Sequence, residues 1–288
     1  MKVAIIPNIS KKDVPFYTEK IIKTLMEFNV SILMERQYEM AFKDTGCCFY
    51  SEIEDVFNLC DVVLAVGGDG TLIHTAKFAS KAKKPILGVN LGRLGFVSGL
   101  EVNELYKLGK IVNGNYETQN RMLLCIEVLK KTGKEAFYAL NDAVISRGEL
   151  SRILDVDIML EETNVCAFRS DGVILATPTG STAYSLSAGG PIVDPRMGCI
   201  LMTPLCSHSM FSRPQIFSED SKLIINARSR ENAGVFLTID GEDVIDISDG
   251  TLISVSKASL PVKLINLEDK SFYQKISEKL SERRVGLM

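Results

Sequence analysis

The chain has 288 residues, of which 46% are hydrophobic and 24% are charged, and its formal net charge is −3. This length allows two domains with separate cores, and the composition is that of an ordinary soluble globular protein. The mildly acidic balance disfavours nucleic acid or an anionic membrane as a partner. The apolar stretch after Met1 is too short for a signal peptide, and no run approaches the length of a membrane span.

The seven cysteines are irregularly spaced, odd in number and free of any Cys-x-x-Cys pair. With only two histidines in the chain, this pattern disfavours a zinc site. We therefore predict reduced thiols in a cytoplasmic protein.

The first hundred or so residues alternate between strand and helix patterns. Residues 3–6 predict a strand, 14–28 a helix with an apolar stripe, and 30–34 a second strand, which is the βαβ signature. Residues 37–55 are ambiguous and suit a loop with a short helix. Further strands at 62–66 and 85–90 indicate an open, mostly parallel, Rossmann-like sheet, whose ligands bind at the carboxyl ends of the strands.

A different pattern begins near residue 115. Short segments in which apolar and polar residues alternate follow one another closely, and each of them suits a strand. We predict them at residues 122–128, 137–140, 154–160, 223–225, 235–239, 252–255 and 262–265. Such strands with Gly, Asn and Asp turns favour an antiparallel β domain. Residues 272–280 predict a helix that packs back on the first domain. The expected division is 1–114 with 266–288 as an α/β domain and 115–265 as a mostly antiparallel β domain.

The most informative motif is Gly67-Gly68-Asp69-Gly70-Thr71, between the strand at 62–66 and a helical stretch at 72–79. Glycine permits positive φ and close approach of a ligand, and the N–H groups at a helix start attract phosphate. A plain Asp-Gly turn is the alternative, but the full motif at a strand end favours phosphate binding. A carboxylate inside such a cradle suggests that Asp69 handles a hydroxyl group or a metal.

Two weaker motifs follow. The turn Asn90-Leu91-Gly92-Arg93-Leu94-Gly95-Phe96 is either a loop that needs glycine or a site in which Arg93 pairs with phosphate or carboxylate, and the residues alone leave these interpretations even. Asn141-Asp142 interrupts apolar strand residues, which by itself favours a bulge or turn. Asp240-Gly241 likewise predicts a hairpin turn.

The stretch from Arg169 to Pro191 is rich in hydroxyl residues and glycine. It contains Thr177-Pro178-Thr179-Gly180-Ser181-Thr182-Ala183-Tyr184-Ser185-Leu186-Ser187. One interpretation is a polar loop that caps a short helix. Its length and the single Tyr184 instead favour a polar pocket for a ligand of the ribose or adenine class.

Taken together, these motifs resemble the NAD kinase family in order and spacing over nearly the whole chain. The glycine motif alone is shared with phosphofructokinases and diacylglycerol-type lipid kinases, whereas the run at 177–184 is far more specific. Two departures are Ser170, where the family usually has glycine, and Val97, where leucine is common.

The resemblance implies an enzyme that phosphorylates the adenosine ribose 2′-hydroxyl of NAD with ATP and Mg²⁺ or another divalent cation. It implies NAD in a cleft between an α/β and a β domain, and a homodimer or homotetramer without nucleic-acid or membrane partners. Asp69 would be catalytic and face the hydroxyl. The implied ligand-binding residues are Gly68, Gly70, Thr71, Arg93, Phe96, Asn141, Asp142, Arg169, Asp171, Thr179, Thr182, Ala183, Tyr184, Ser187 and Asp240.

Two other classes of function remain open on the sequence. A lipid kinase would use the same glycine motif on a lipid hydroxyl, but the run at 179–187 is too polar for a lipid tail. A non-catalytic nucleotide sensor would keep both pockets without needing Asp69. Because the sequence shows no carboxylate cage for a metal ion, we expect ATP to carry most of the magnesium coordination.

Overall fold

The structure is a computed structural model that describes residues 1–91, 95–130, 133–148, 153–207, 212–229, 234–247, 251–267 and 271–285, without the side chains of 280–285. The chain forms two compact units, one of Met1–Asn120 with Val262–Met288 and one of Arg121–Pro261. Each helix within the described residues is too short or too polar to cross a lipid bilayer.

The first unit is built on a sheet of eight strands within the described residues. The strands are β1 (Lys2–Pro7), β2 (Ser31–Glu35), β3 (Cys48–Tyr50), β4 (Val62–Gly67), β5 (Pro85–Asn90), β6 (Leu100–Glu101), β7 (Glu117–Arg121) and β20 (Val262–Asn266). Their order is β3-β2-β1-β4-β5-β20-β7, with β6 also beside β5. The central pairs β1–β2, β1–β4 and β4–β5 are parallel. Every residue of β4 is buried, as expected for a strand covered on both faces.

Helices accompany this sheet. They are α1 (Val14–Met26), α2 (Glu39–Phe42), α3 (Ile53–Leu59), α4 (Asp69–Lys81), α5 (Leu108–Val112) and α7 (Phe272–Val285), with 3₁₀ turns at Arg36–Tyr38, Lys43–Thr45 and Val102–Lys107. In α1 a proline lies in the first turn, where its missing N–H costs nothing. Val14, Ile21, Ile22 and Leu25 bury one stripe of α1 against the core of the unit.

The assignment of residues 262–265 to the antiparallel domain is wrong. The strand β20 pairs in parallel with β5 of the first unit, through Lys263 opposite Pro85 and Leu264 opposite Ile86. The apolar pattern along a strand predicts which side chains face a core, but it does not identify the neighbouring strand. The ambiguous stretch at 37–55 holds α2, the strand β3 and the start of α3, which is more structure than a loop with one short helix.

The second unit is a sandwich of two antiparallel sheets. Its strands are β8 (Leu124–Lys130), β9 (Gly133–Ala139), β10 (Asp142–Arg147), β11 (Leu154–Leu160), β12 (Thr163–Ser170), β13 (Gly172–Ala176), β14 (Cys199–Leu205), β15 (Gln215–Ser218), β16 (Leu223–Ser229), β17 (Val235–Ile239), β18 (Asp243–Ile247) and β19 (Leu252–Lys257). One sheet has the order β15-β14-β13-β10-β17-β18, and the other has β12-β11-β16-β19-β8-β9.

The core of this unit comes from alternating residues of both sheets. In β8, β11 and β17 every second residue is buried, so that one face of each strand packs inward. The inward residues, among them Leu124, Val156, Ile145 and Leu237, belong to one hydrophobic cluster. The predicted fold class, an α/β domain plus a mostly antiparallel β domain, is confirmed.

Candidate active site

The glycine motif lies where β4 ends and α4 begins. Gly67 is the last residue of β4, Gly68 is the N-cap of α4 with an extended backbone (φ −149°), and Asp69 is already helical. Glycine permits positive φ, but none of Gly67, Gly68 and Gly70 adopts it, although other glycines do. The motif forms the first turn of α4, whose free N–H groups and dipole favour an anion.

Close packing explains Gly67 instead. A β-carbon there would overlap the hydroxyl of Thr71 and lie 3.2 Å from Cβ of Asn8, whereas one on Gly68 would meet the flexible end of the Lys11 side chain, 2.9 Å from its Nζ. The turn after β1 therefore lies directly over the glycine motif, and the N–H of Asn8 donates to the carbonyl of Val66. The ammonium of Lys11 thus stands beside the start of α4.

Sequence reasoning missed Lys11. Its signal was topological, because β1 and β4 are parallel neighbours, with Pro7 opposite Val66. The segments that follow two such strands emerge at the same edge of the sheet. A lysine four residues after β1 could have been placed beside the glycine motif on that basis.

The carboxylate of Asp69 is held by three donors from the segment 95–98. The N–H of Phe96 donates to Oδ2 at 2.7 Å, while the N–H and the hydroxyl of Ser98 donate to Oδ1 at 3.2 and 2.5 Å. Gly95 lies so close that a β-carbon there would overlap this carboxylate. The side chain of Asp69 is therefore fixed in one orientation by a neighbouring segment.

The other predicted residues of this region differ in what the structure says of them. Phe96 lies in the segment that holds Asp69, whereas Arg93 is outside the described residues. The hydroxyl of Thr71 is buried without a hydrogen-bond partner, which is costly unless a ligand or water satisfies it. Gly70 has open space where a side chain would be.

A second polar site lies in the second unit, at the turn from β9 to β10. The carboxylate of Asp240 accepts the N–H groups of Leu140, Asn141 and Asp142 at 2.8, 2.7 and 3.0 Å. Asp240 and Gly241 form the hairpin turn between β17 and β18, as predicted, and both adopt positive φ. The hairpin turn thus supplies the Asp240 carboxylate, which holds the turn at residues 140–142 in place.

The hydroxyl-rich stretch reaches the same turn from the other side. The N–H and the hydroxyl of Thr177 donate to the carbonyls of Asn141 and Leu140, at 2.9 and 2.5 Å. Gly180 packs on Asn141, where a β-carbon would overlap its carbonyl. These contacts follow from topology, since the start of β10 lies beside the ends of its neighbours β13 and β17.

This convergence forms a cavity of about 410 Å³. Its lining comprises Asn141, Asp142, Val144, Ser146, Ala183, Tyr184, Thr238, Asp240 and Gly241. Five of these were predicted as ligand-binding residues and Gly241 was predicted only as a turn residue, whereas Val144, Ser146 and Thr238 were missed. Their signal was strand periodicity, because Val144 and Ser146 follow Asp142 at steps of two along β10, and Thr238 is paired with Val144.

Two residues that line the cavity carry buried polar groups. The amide oxygen of Asn141 is buried without a hydrogen-bond partner. Asp142 is only 5% exposed, and burial, followed by repulsion from Asp240, raises the pKa of its carboxyl to about 7. The lining residues thus include one with a buried, unsatisfied amide oxygen and one with a carboxyl group whose charge changes near neutral pH.

The five other predicted residues of the second unit lie outside the cavity lining. Thr179 and Thr182 are buried in a 3₁₀ turn (Thr179–Thr182), which precedes α6 (Tyr184–Ser187). Ser187 is exposed at the end of α6. None of these three residues, nor Arg169 or Asp171, belongs to the cavity lining.

Asp171 and Arg169 are engaged in ion pairs within the second unit. Asp171 pairs with Arg147 at 2.8 Å, and Arg169 pairs with Asp155 at 3.0 Å. Ser170, the departure from the family pattern, is fully buried. Its hydroxyl donates to the carbonyl of Gly172 and accepts the N–H of Gly172, so the extra polar group is satisfied.

Comparison with known proteins identifies the family. Residues 3–116 match the ATP-NAD kinase N-terminal domain, and residues 140–267 match the ATP-NAD kinase C-terminal domain. A curated NAD kinase of Moorella thermoacetica is 36% identical over 98% of this chain and 89% of its own length. One of Geotalea daltonii is 34% identical over 97% and 98%.

Solved structures show the same fold. The yeast NADH kinase complexed with NADH superimposes with a TM-score of 0.88 and 26% identity, covering 98% of this chain and 87% of that one. An NAD kinase from Archaeoglobus fulgidus in complex with ATP gives a TM-score of 0.75 with 23% identity, over 98% and 99%, which bears on the fold alone. The relatives favour the NAD kinase prediction over a lipid kinase or a sensor. The chain belongs to the ATP-NAD kinase family of phosphotransferases.

Proposed function

We propose that this chain transfers the γ-phosphoryl group of ATP to the 2′-hydroxyl of the adenosine ribose of NAD, giving NADP. The observation that carries the proposal is the carboxylate of Asp69, fixed by three donors in the first turn of a helix suited to phosphate. The names of the family and of the curated relatives support the identity of the two substrates.

On the donor side, the phosphates of ATP would bind at the start of α4. The N–H groups of its first turn, around Gly68 and Gly70, supply hydrogen bonds, and the hydroxyl of Thr71 supplies a further polar contact. Lys11, beside Gly68, would add positive charge. Arg93 would be a further phosphate partner, and Phe96 would border this site.

On the acceptor side, Asp69 would accept the proton of the ribose hydroxyl and orient its oxygen. Phosphoryl transfer has a loose transition state, so that catalysis rests on positioning and on neutralising charge. General-base assistance of this kind typically contributes about 10²–10⁴ in rate. The three donors to Asp69 support this role because they fix the direction in which the carboxylate points.

NAD would bind through the cavity of the second unit. Asn141 and Asp142 would contact base and ribose, and the apolar wall from Ala183 and Tyr184 would receive an aromatic ring. Thr179, Thr182 and Ser187 would lie farther along the dinucleotide, with Arg169 and Asp171 bordering its nicotinamide end. Asp240 would act near the transfer site, mainly by holding the turn at 140–142.

Kinases that use ATP require a divalent cation, and magnesium is the one we propose. It would enter as part of the nucleotide substrate and screen the charge between the phosphates and Asp69. Within the described residues no group of three or more His, Cys, Asp or Glu side chains could hold a metal ion by itself.

The setting that we propose is a cytoplasmic homodimer or homotetramer without membrane or nucleic-acid partners. All seven cysteines are free thiols, which suits a reducing compartment. Burial raises the pKa of Cys60 to about 11, so this thiol stays protonated and inert. Light scattering of the purified protein would test the assembly.

One assay tests the reaction. Purified protein is incubated with NAD, ATP and Mg²⁺, and NADP is detected with an NADP-specific dehydrogenase. We expect NADP to accumulate in proportion to enzyme and to depend on ATP. Absence of NADP from correctly folded protein that is supplied with NAD, ATP and Mg²⁺ would refute the proposed function.

A further inference from the structure

The direction of the Asp69 carboxylate depends on two residues outside its own helix. Phe96 donates one hydrogen bond to it and Ser98 donates two. Any displacement of the segment 95–98 therefore moves the donors that orient Asp69. What holds this segment in place then bears on the reaction.

Helix α7 contacts both of these residues through lysines four positions apart. The ammonium of Lys279 lies 3.7 Å from the centre of the Phe96 ring, and that of Lys275 donates to the carbonyl of Ser98 at 3.4 Å. Side chains at i and i+4 lie on one face of a helix, so both contacts come from the same face of α7.

The burial of Lys275 makes its placement informative. The residue is only 8% exposed, and a buried ammonium is costly unless hydrogen bonds hold it. A lysine that only covers an apolar surface normally keeps its ammonium group in water. At this position the charge instead lies against Ser98, which is itself 2% exposed and bonded to Asp69.

We propose that Lys275 and Lys279 are positioning residues for Asp69, which act by holding Ser98 and Phe96 rather than by touching a substrate. The inference rests on the proposed function, because it concerns the orientation of the proposed base. It assigns to α7, at the far end of the chain from the glycine motif, a part in catalysis.

Lys279→Met is the main test. We expect kcat to fall about 10-fold or more, because small misplacements of reacting groups can cost up to about 10²-fold. The KM values for NAD and ATP should change little if, as proposed, neither lysine contacts a substrate. Lys279→Arg should recover most of kcat because a guanidinium also stacks on an aromatic ring.

Lys20→Met is the matched control. Lys20 lies over the ring of Phe16 on α1, with its ammonium 4.4 Å from the ring centre, so the substitution removes the same kind of contact elsewhere in the unit. We expect this variant to keep the parent kcat. Thermal unfolding of each variant measures the folded fraction, against which kcat is corrected.

A double-mutant cycle separates positioning from general stability. If Lys279 acts through the ring of Phe96, Lys279→Met should have little further effect on kcat in a Phe96→Leu background. Fully additive effects, or a parental kcat in Lys279→Met, would overturn the inference. Lys275→Met repeats the test at Ser98, and the Lys279 series stands alone if that variant does not fold. A parent protein without activity refutes the proposed function. An active parent whose lysine variants keep the parental kcat refutes only this inference.

Discussion

The two polar sites use their carboxylates in opposite ways. In the first unit Asp69 itself receives three hydrogen bonds, and its orientation is fixed. In the second unit Asp240 receives the three backbone donors of the turn, while Asp142 faces the cavity with a pKa raised to about 7. A fixed carboxylate suits chemistry at one atom, and a carboxyl of variable charge suits recognition of a ligand.

Removing the charge of Asp69 should give the largest effect. We expect Asp69→Asn to lower kcat about 10²–10⁴-fold, because the amide cannot accept the proton of the ribose hydroxyl. NAD affinity should stay near that of the parent, as the cavity belongs to the second unit. Steady-state kinetics and calorimetric titration with NAD measure the two quantities. A variant with near-parental turnover would remove Asp69 from the role of base.

Asp142→Asn should change the pH dependence of stability. With a pKa raised to about 7, folded Asp142 binds more protons than the unfolded chain between about pH 4 and pH 7. The free energy of unfolding therefore decreases as pH rises through this window. The stability that the protonated carboxyl of Asp142 retains at low pH is lost above about pH 7. From about pH 5 to about pH 8 the parent should lose on the order of 2 kcal/mol more than the variant.

Urea unfolding at both pH values provides this measurement. Asp220→Asn, at an exposed position, is the control and should follow the parent. Parallel pH profiles for the parent and Asp142→Asn would show that the burial of Asp142 has no such consequence.

Asp240→Asn should weaken NAD binding through the turn at 140–142. An amide cannot accept all three backbone donors, and an unsatisfied buried donor costs about 1–3 kcal/mol. We expect lower stability and a higher KM for NAD, with KM for ATP unchanged. Asp246→Asn, exposed on the neighbouring strand β18, should leave both constants unaltered. An unchanged KM for NAD would mean that the turn at 140–142 keeps its position without the three hydrogen bonds to Asp240.

Lys11→Met should affect the other substrate. Loss of a charge-assisted contact with phosphate should raise KM for ATP about 10-fold and leave KM for NAD unchanged. Lys12→Met, its exposed neighbour, is the control. Equal effects of the two variants would indicate a general influence of charge rather than a contact at the glycine motif.

The elements that sequence predicted well are those with strong local patterns. The buried strand before Gly67, the helix after it and the alternating strands of the sandwich all follow from hydrophobic periodicity. Family motifs indicated Asn141 and Tyr184, both of which line the cavity. These signals lie within a few residues of the feature that they predict.

Features that depend on distant partners were not predictable in this way. The pairing of β20 with β5 joins residues nearly 180 positions apart, and the residues of β20 suit a strand in either unit. Lys275 and Lys279 have no distinctive sequence context, and only tertiary contacts place them beside the segment that holds Asp69. Asp240 was recognised as a turn residue, but its three hydrogen bonds reach across about 100 positions.

The return of β20 and α7 to the first unit has a consequence for protein synthesis. Domains generally fold as their residues emerge from the ribosome, but here the second unit is complete before the last strand and helix of the first exist. The lysines proposed to hold Phe96 and Ser98 are thus made after the whole of the second unit. A nascent chain that carries the cavity of the second unit but not α7 would lack the contacts proposed to position Asp69, and we expect any phosphoryl transfer to be slower than after α7 has packed on the segment 95–98.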